Sequence, residues 1–127
     1  MIGEMSAVLV VEDELLIRMH AANLFEDEGF EVVEAATARA ALAVLEKRNG
    51  EVDALFTDVD MPGDMNGLEL AGVVHGRWPH IAIVVTSGMV RVSGSLPGNG
   101  VFLEKPYGSS LPVRMVRDMI QRVRDRH

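Results

Sequence analysis

The sequence predicts an α/β domain: a doubly wound, five-stranded parallel sheet of order 2-1-3-4-5 with helices on both faces. Three observations carry this reading. Short apolar, β-branched runs alternate with helix-patterned segments along the chain, which implies parallel strands joined by right-handed crossovers. The run Ile81-Ala82-Ile83-Val84-Val85-Thr86 is apolar without alternation, the mark of a strand covered on both faces. A chain of 127 residues holds one core and is too short for two. Five short strands in one such domain fit the doubly wound order.

Taken in order, residues 1–6 form an arm, and Ala7-Val8-Leu9-Val10-Val11 is a buried strand that ends in the acids Glu12-Asp13-Glu14. From Glu14 to Glu28 apolar residues recur at Ile17, Ala21 and Leu24, the spacing of one helix face, and Gly29 suits the left-handed position that closes a helix. Glu31 to Ala35 is strand-like and belongs at an edge. Thr37 is an N-cap for a second helix, whose stripe is Ala38, Ala41, Leu42 and Leu45 and whose end is Asn49-Gly50. The third strand is Ala54 to Thr57. Gly67 to Trp78 has a helical pattern and stops at Pro79. The fourth strand is the run at Ile81, and Val101-Phe102-Leu103 is the fifth. A last helix runs from Leu111 to Arg124 with Val113, Val116, Ile120 and Val123 inward. Between strands four and five, Met89 to Gly100 contains Gly94, Pro97 and Gly98, so the fourth helix is expected to be short or absent.

Composition narrows the function. Hydrophobic residues make up 48% and charged residues 24%, as in an ordinary globular domain. With no cysteine, disulfides, thiolate metal sites and thiol catalysis are excluded. No apolar run approaches the roughly 20 residues of a membrane span, and Met1 to Ser6 lacks the regions of a signal peptide. The expectation is a cytoplasmic location with no membrane partner. A net charge of −7 argues against direct nucleic-acid binding. Arg114, Arg117, Arg122, Arg124 and Arg126 lie in the final helical stretch, where a solvated face complementing the helix end is the plain reading.

The chemistry gathers at one sheet edge. Leu55-Phe56-Thr57-Asp58 is an apolar run ending in a carboxylate, and a Pro62-Gly63 turn follows. In the predicted order strands one and three are neighbours at the switch point, where ligands of such sheets bind. Glu12, Asp13 and Asp58 therefore converge, and their mutual repulsion calls for protons or a cation. Mg²⁺ suits an all-oxygen set, at about 2.0–2.1 Å from its ligands. Ser87-Gly88 and Lys105-Pro106 end strands four and five and bring a hydroxyl and an ammonium to the same edge. Each has a bland reading: an N-cap for Asp13, a first-turn acid for Glu12, a turn residue for Ser87, a surface charge for Lys105.

Together, Val10-Val11-Glu12-Asp13-Glu14, Thr57-Asp58-Val59-Asp60-Met61-Pro62 with Gly67 and Leu68, Thr86-Ser87-Gly88 and Phe102-Leu103-Glu104-Lys105-Pro106 resemble the receiver domain of two-component response regulators, over nearly the whole chain. The resemblance implies a single receiver domain over residues 1–127, with no effector domain, that acts as a phosphorylation-dependent switch and not as a multiple-turnover enzyme. It implies that Asp58 is the phosphoacceptor, served by a histidine kinase or phosphotransfer protein. Asp13, Asp58 and the backbone carbonyl of Asp60 would bind Mg²⁺, with Glu12 acting through water. Ser87 and Lys105 would contact phosphoryl oxygens, and Ser87 with Phe102 would form the switch read by a downstream protein target. A cis peptide bond at Lys105–Pro106 is implied as well.

The sequence departs from the family at three places. One residue more than the commonest spacing separates Pro62 from Gly67, Asp60 adds a carboxylate beside the site, and Met89 to Gly100 replaces a regular helix. The alternative function is a Mg²⁺-dependent phosphatase of the haloacid-dehalogenase type, suggested by Asp58-Val59-Asp60. That pair should follow a first strand and be accompanied by a cap domain, for which there is no room. A flavodoxin-like electron carrier would need a Ser/Thr-rich phosphate cradle where Glu12-Asp13 stands.

Overall fold

The structure, a computed structural model, describes residues 6–88, 96 and 100–125. Its elements follow in the order β1 (Ala7–Val11), α1 (Leu15–Glu26), β2 (Glu31–Ala35), α2 (Ala38–Lys47), β3 (Ala54–Asp58), α3 (Gly67–Arg77), β4 (Ala82–Ser87), β5 (Val101–Glu104) and α4 (Leu111–Asp125). The strands form one parallel sheet in the order β2-β1-β3-β4-β5, as expected.

Alternation along each strand divides the core into two layers. Leu9, Val11, Leu55, Ile83 and Val85 pack with Ala41 and Leu45 of α2 and Leu70, Ala71 and Val74 of α3. Val8, Val10, Phe56 and Val84 face the other way, onto Ala21 and Phe25 of α1 and Val113, Val116 and Ile120 of α4. Every residue of β1, β3 and β4 is buried, because helices cover both faces of a parallel sheet. β2 is the exposed edge that the sequence suggested.

Local signals hold in most places. The Thr37 hydroxyl caps α2 by accepting from Ala40 N at 3.0 Å. Gly29 takes φ +91° after α1. The Lys105–Pro106 bond is cis. No described helix is long and apolar enough to cross a membrane.

Some expectations change. α1 begins on Glu14 without a side-chain cap, so Asp13 is not its N-cap. Leu42 and Val123 are only half-buried. Ser6 is buried and its carbonyl accepts from Glu31 N at 2.9 Å, so it continues the sheet and is not part of a loose arm; residues 1–5 lie outside the described residues. The last helix is not uniformly solvated on its arginine face. Arg117 Nη2 donates to Glu28 O at 3.0 Å and its guanidinium lies 5.6 Å over the Phe30 ring, while Arg124 Nη2 reaches Ser6 Oγ at 3.3 Å. The expectation of a short or absent fourth helix falls on residues 89–99, which lie outside the described residues except for Leu96. Leu96 itself is buried against the layer that holds Ile83 and Val85.

Candidate functional site

Parallel register builds the site at the carboxyl edge of the sheet. Val11 pairs with Thr57, Asp58 with Thr86, and Ser87 with Glu104, so the strands end side by side. Pairing continues one step further: Glu12 N donates to Ala35 O at 3.1 Å, Val59 N to Thr86 O at 2.8 Å and Lys105 N to Ser87 O at 3.0 Å. These bonds fix the backbones that carry Glu12, Asp58, Ser87 and Lys105.

Asp58 and Glu12 are each 5% exposed, and Asp13 stands out in solvent beside them. One carboxylate oxygen from each of the three lies within 4.8 Å of the others. Lys105 Nζ donates to Glu12 Oε1 at 3.1 Å and pairs with Asp58 Oδ1 at 3.2 Å. That Asp58 oxygen is buried and accepts no hydrogen bond among the described residues. Burial pushes the Asp58 carboxyl above its ordinary value, against the attraction of Lys105. Burial likewise pushes Glu12 up, opposed by its hydrogen bonds from Glu14 N and Lys105. Burial alone would pull the Lys105 ammonium down, but its bond to Glu12 and the field of Asp58 outweigh this and raise it. A buried carboxylate oxygen paired only with Lys105, next to two further acids, is an arrangement that a hard cation would complete, and the donor set is entirely oxygen.

The backbone of Asp58 is clamped from below. Gly67 N donates to Val59 O at 3.1 Å, and a Cβ at position 67 would lie 1.9 Å from Asp58 O. Only glycine lets α3 begin so close. Asn66 and Glu69 secure that beginning with reciprocal capping bonds.

Of the residues singled out in the sequence, Glu12, Asp13, Asp58, Ser87 and Lys105 are brought to this edge. Asp60 is exposed just beyond it, and its Oδ2 accepts from Ser87 Oγ at 3.2 Å. Phe102 sits half-buried on β5, opposite Val85. Sequence reasoning missed two neighbours. Arg18 Nη1 donates to Glu12 O at 2.9 Å while its Nε pairs with Glu34 Oε1 at 3.1 Å, so one α1 side chain ties the acidic loop to β2. Tyr107 lines the small space beneath Asp58 and Lys105 and meets Phe56 edge-on at 5.9 Å. Arg18 had a signal, a charged residue next to Ile17 in the helix stripe. Tyr107 had none apart from its distance of two residues from Lys105.

The fold and this edge together define an α/β domain with an acidic, cation-competent site at its switch point. Comparison with known proteins narrows the class. Residues 8–109 match the family model described as the response regulator receiver domain. The chain is 32% identical over 121 residues to the sensor kinase CckA of Brucella abortus, covering 92% of this chain and 13% of that protein. It is also 32% identical over 120 residues to the transcriptional regulatory protein FixJ of Azorhizobium caulinodans, covering 91% of this chain and 55% of that one. The crystal structure of the receiver domain from the hybrid histidine kinase CckA superposes with a TM-score of 0.78 at 32% identity, over 91% of this chain and all (100%) of that one. A receiver domain protein from Clostridium thermocellum reaches 0.88 at 22% identity, over 97% of this chain and 100% of that one, which speaks for the fold alone. The chain belongs to the response regulator receiver domain family. Receiver domains interact with histidine kinases and downstream effectors, and the matched relatives are regulators and a kinase in which this domain is one part.

Proposed function

We propose that this chain is a phosphorylation-dependent signalling switch in which Asp58 accepts a phosphoryl group from a phosphohistidine on a histidine kinase or phosphotransfer protein. The observation that carries the reading is the buried Asp58 carboxylate, one oxygen without a hydrogen bond among the described residues, held between Lys105 and the acids Glu12 and Asp13. A buried carboxylate oxygen held by an ion pair alone, at a sheet edge crowded with acids, can take a further partner.

In the transfer, an Asp58 oxygen attacks phosphorus as the P–N bond to the imidazole breaks. The imidazole leaves with the bonding electron pair and picks up a proton from solvent, and an aspartyl phosphate remains. Asp13, Asp58 and the Asp60 carbonyl, with Glu12 through water, would hold Mg²⁺, which when bound offsets negative charge on the transferring oxygens. Lys105 pairs with a phosphoryl oxygen in exchange for its present contact with Asp58 Oδ1. Ser87 donates to another phosphoryl oxygen, and Phe102 follows it inward, altering the surface around β5 that a downstream protein reads. Attack of water on phosphorus returns Asp58 and releases phosphate, so the chain resets itself without turning over an external substrate. The same reading places the protein in the cytoplasm with its kinase. The phosphatase alternative needs its aspartate pair at a first strand; here the pair begins on the last residue of β3.

Incubation with acetyl phosphate and Mg²⁺, followed by a phosphate-affinity gel, tests the assignment. A retarded band in the wild type that disappears in Asp58→Asn is expected, and a band that persists in the variant overturns it. Transfer profiling against a panel of histidine kinases then identifies the donor.

A further inference from the structure

The carboxylate of Asp60 has no part in the transfer just described, where only its carbonyl is used. Its placement is nonetheless specific. β3 and β4 pair through Asp58 and Thr86, and the Val59 N–H to Thr86 O bond carries that pairing past the strand end. The next side chains to meet across the gap are Asp60 and Ser87, and the Ser87 hydroxyl donates to Asp60 Oδ2 at 3.2 Å. Ser87 is 1% exposed, whereas Asp60 is open to solvent.

We infer that Asp60 is a latch: its carboxylate holds the Ser87 hydroxyl in the unphosphorylated state and must release it before the phosphoryl group can engage it. This inference rests on the phosphoacceptor reading of Asp58. The chemical ground is that a serine hydroxyl carries one proton and donates to one acceptor at a time. A bond from Ser87 to Asp60 therefore competes with a bond from Ser87 to a phosphoryl oxygen on Asp58. A carboxylate is a strong acceptor, so the competition favours the off state until phosphate arrives. Release is easy to reverse, because an exposed carboxylate regains water as the hydroxyl leaves. Asp60 thus sets the threshold of the switch without touching the transferred group, as a positioning residue that acts through Ser87.

The same carboxylate also repels an anion at Asp58, so the test must separate hydrogen bond from charge. Beryllofluoride with Mg²⁺ is titrated against four proteins: wild type, Asp60→Ala, Ser87→Ala and the double variant. Binding is read by ¹⁹F NMR and by the amide shifts of Ser87 and Gly88. Loss of charge alone improves affinity equally with and without Ser87, whereas loss of the latch helps only when the hydroxyl is present. The expected gain from Asp60→Ala is about tenfold with Ser87 and about threefold in Ser87→Ala. In the free Asp60→Ala protein the Ser87 amide is expected to move toward its beryllofluoride-bound position. Asp60→Asn keeps an acceptor while losing the charge, and it should gain about threefold. Equal gains in both backgrounds overturn the latch and leave the phosphoacceptor reading intact. A wild type that binds no beryllofluoride overturns that reading, and the latch with it.

Discussion

The two ends of this sheet treat their buried or half-buried carboxylates in opposite ways. At the amino-terminal edge Asp53 is fully used. Its Oδ2 accepts from Ala7 N at 2.8 Å, its Oδ1 lies 3.7 Å from Arg124, and its backbone bonds β1 on one side and β4 on the other. Nearby, His80 Nε2 bonds to Gly50 O at 2.8 Å. At the carboxyl edge Asp58 keeps a buried oxygen without a hydrogen bond among the described residues, beside acids that Lys105 alone cannot balance. One edge staples the fold. The other stores an unmet demand for positive charge, and that demand marks a site more clearly than the number of acids does.

Three expectations would break this contrast or sharpen it. The largest concerns the cation. Mg²⁺ at about a hundred times its Kd should stabilise the wild type by ~2.7 kcal/mol, read as a rise in melting temperature. Asp53→Asn should respond equally, and Asp58→Asn much less. An equal response in Asp58→Asn would place the ion elsewhere.

Next comes substitution without metal. Asp53→Ala orphans the Ala7 N–H and should cost about 2 kcal/mol by urea denaturation. Asp58→Asn should instead raise the melting temperature by about 4 °C, since a group whose folded pKa is raised is costly in its charged form. The sign is checkable with pH. A carboxyl with a raised folded pKa makes the folded state bind more protons than the unfolded one, so stability falls as pH rises through that range. The advantage of Asp58→Asn should grow as pH rises from the ordinary carboxylate value through the raised folded one, and vanish below the ordinary value. A constant advantage would assign the gain to packing.

The smallest effect belongs to the last helix. Arg114→Gln should leave the melting temperature within about 1 °C, because an exposed charge contributes little. Arg117→Gln should cost slightly more, since it loses Glu28 O, Glu28 Oε1 at 3.3 Å and the face of Phe30. Equal behaviour of the two would return the whole face to solvent.

The fold was legible because burial on both faces writes β1, β3 and β4 as unbroken apolar runs, which no exposed segment imitates. The gathering of Glu12, Asp13, Asp58, Ser87 and Lys105 was legible once the strand order was inferred, since each lies at a strand's last residue or within two residues past it. Contacts that depend on side-chain reach were not. Helix spacing puts Arg117 and Arg124 on one face but says nothing of the acceptors at Glu28 and Ser6 across the gap. The Ser87–Asp60 bond depends on β3–β4 register beyond the strand ends, which composition does not encode. Asp13 resembled an N-cap until the backbone placed Glu14 there. Leu96 sat among helix breakers that gave no hint of its burial.

Gly67 carries no chemistry and lies outside the acidic cluster, yet its missing side chain is what lets a helix begin on the carbonyl of Asp58. In the vocabulary of mutational scanning, this inert position has as narrow an allowance as any reactive one. The loop from Met61 to Met65 holds Met61 in the core and carries an extra residue, and whatever its length the chain must resume at a glycine. A chemically silent position is held here by geometry as tightly as a reactive one is held by its chemistry.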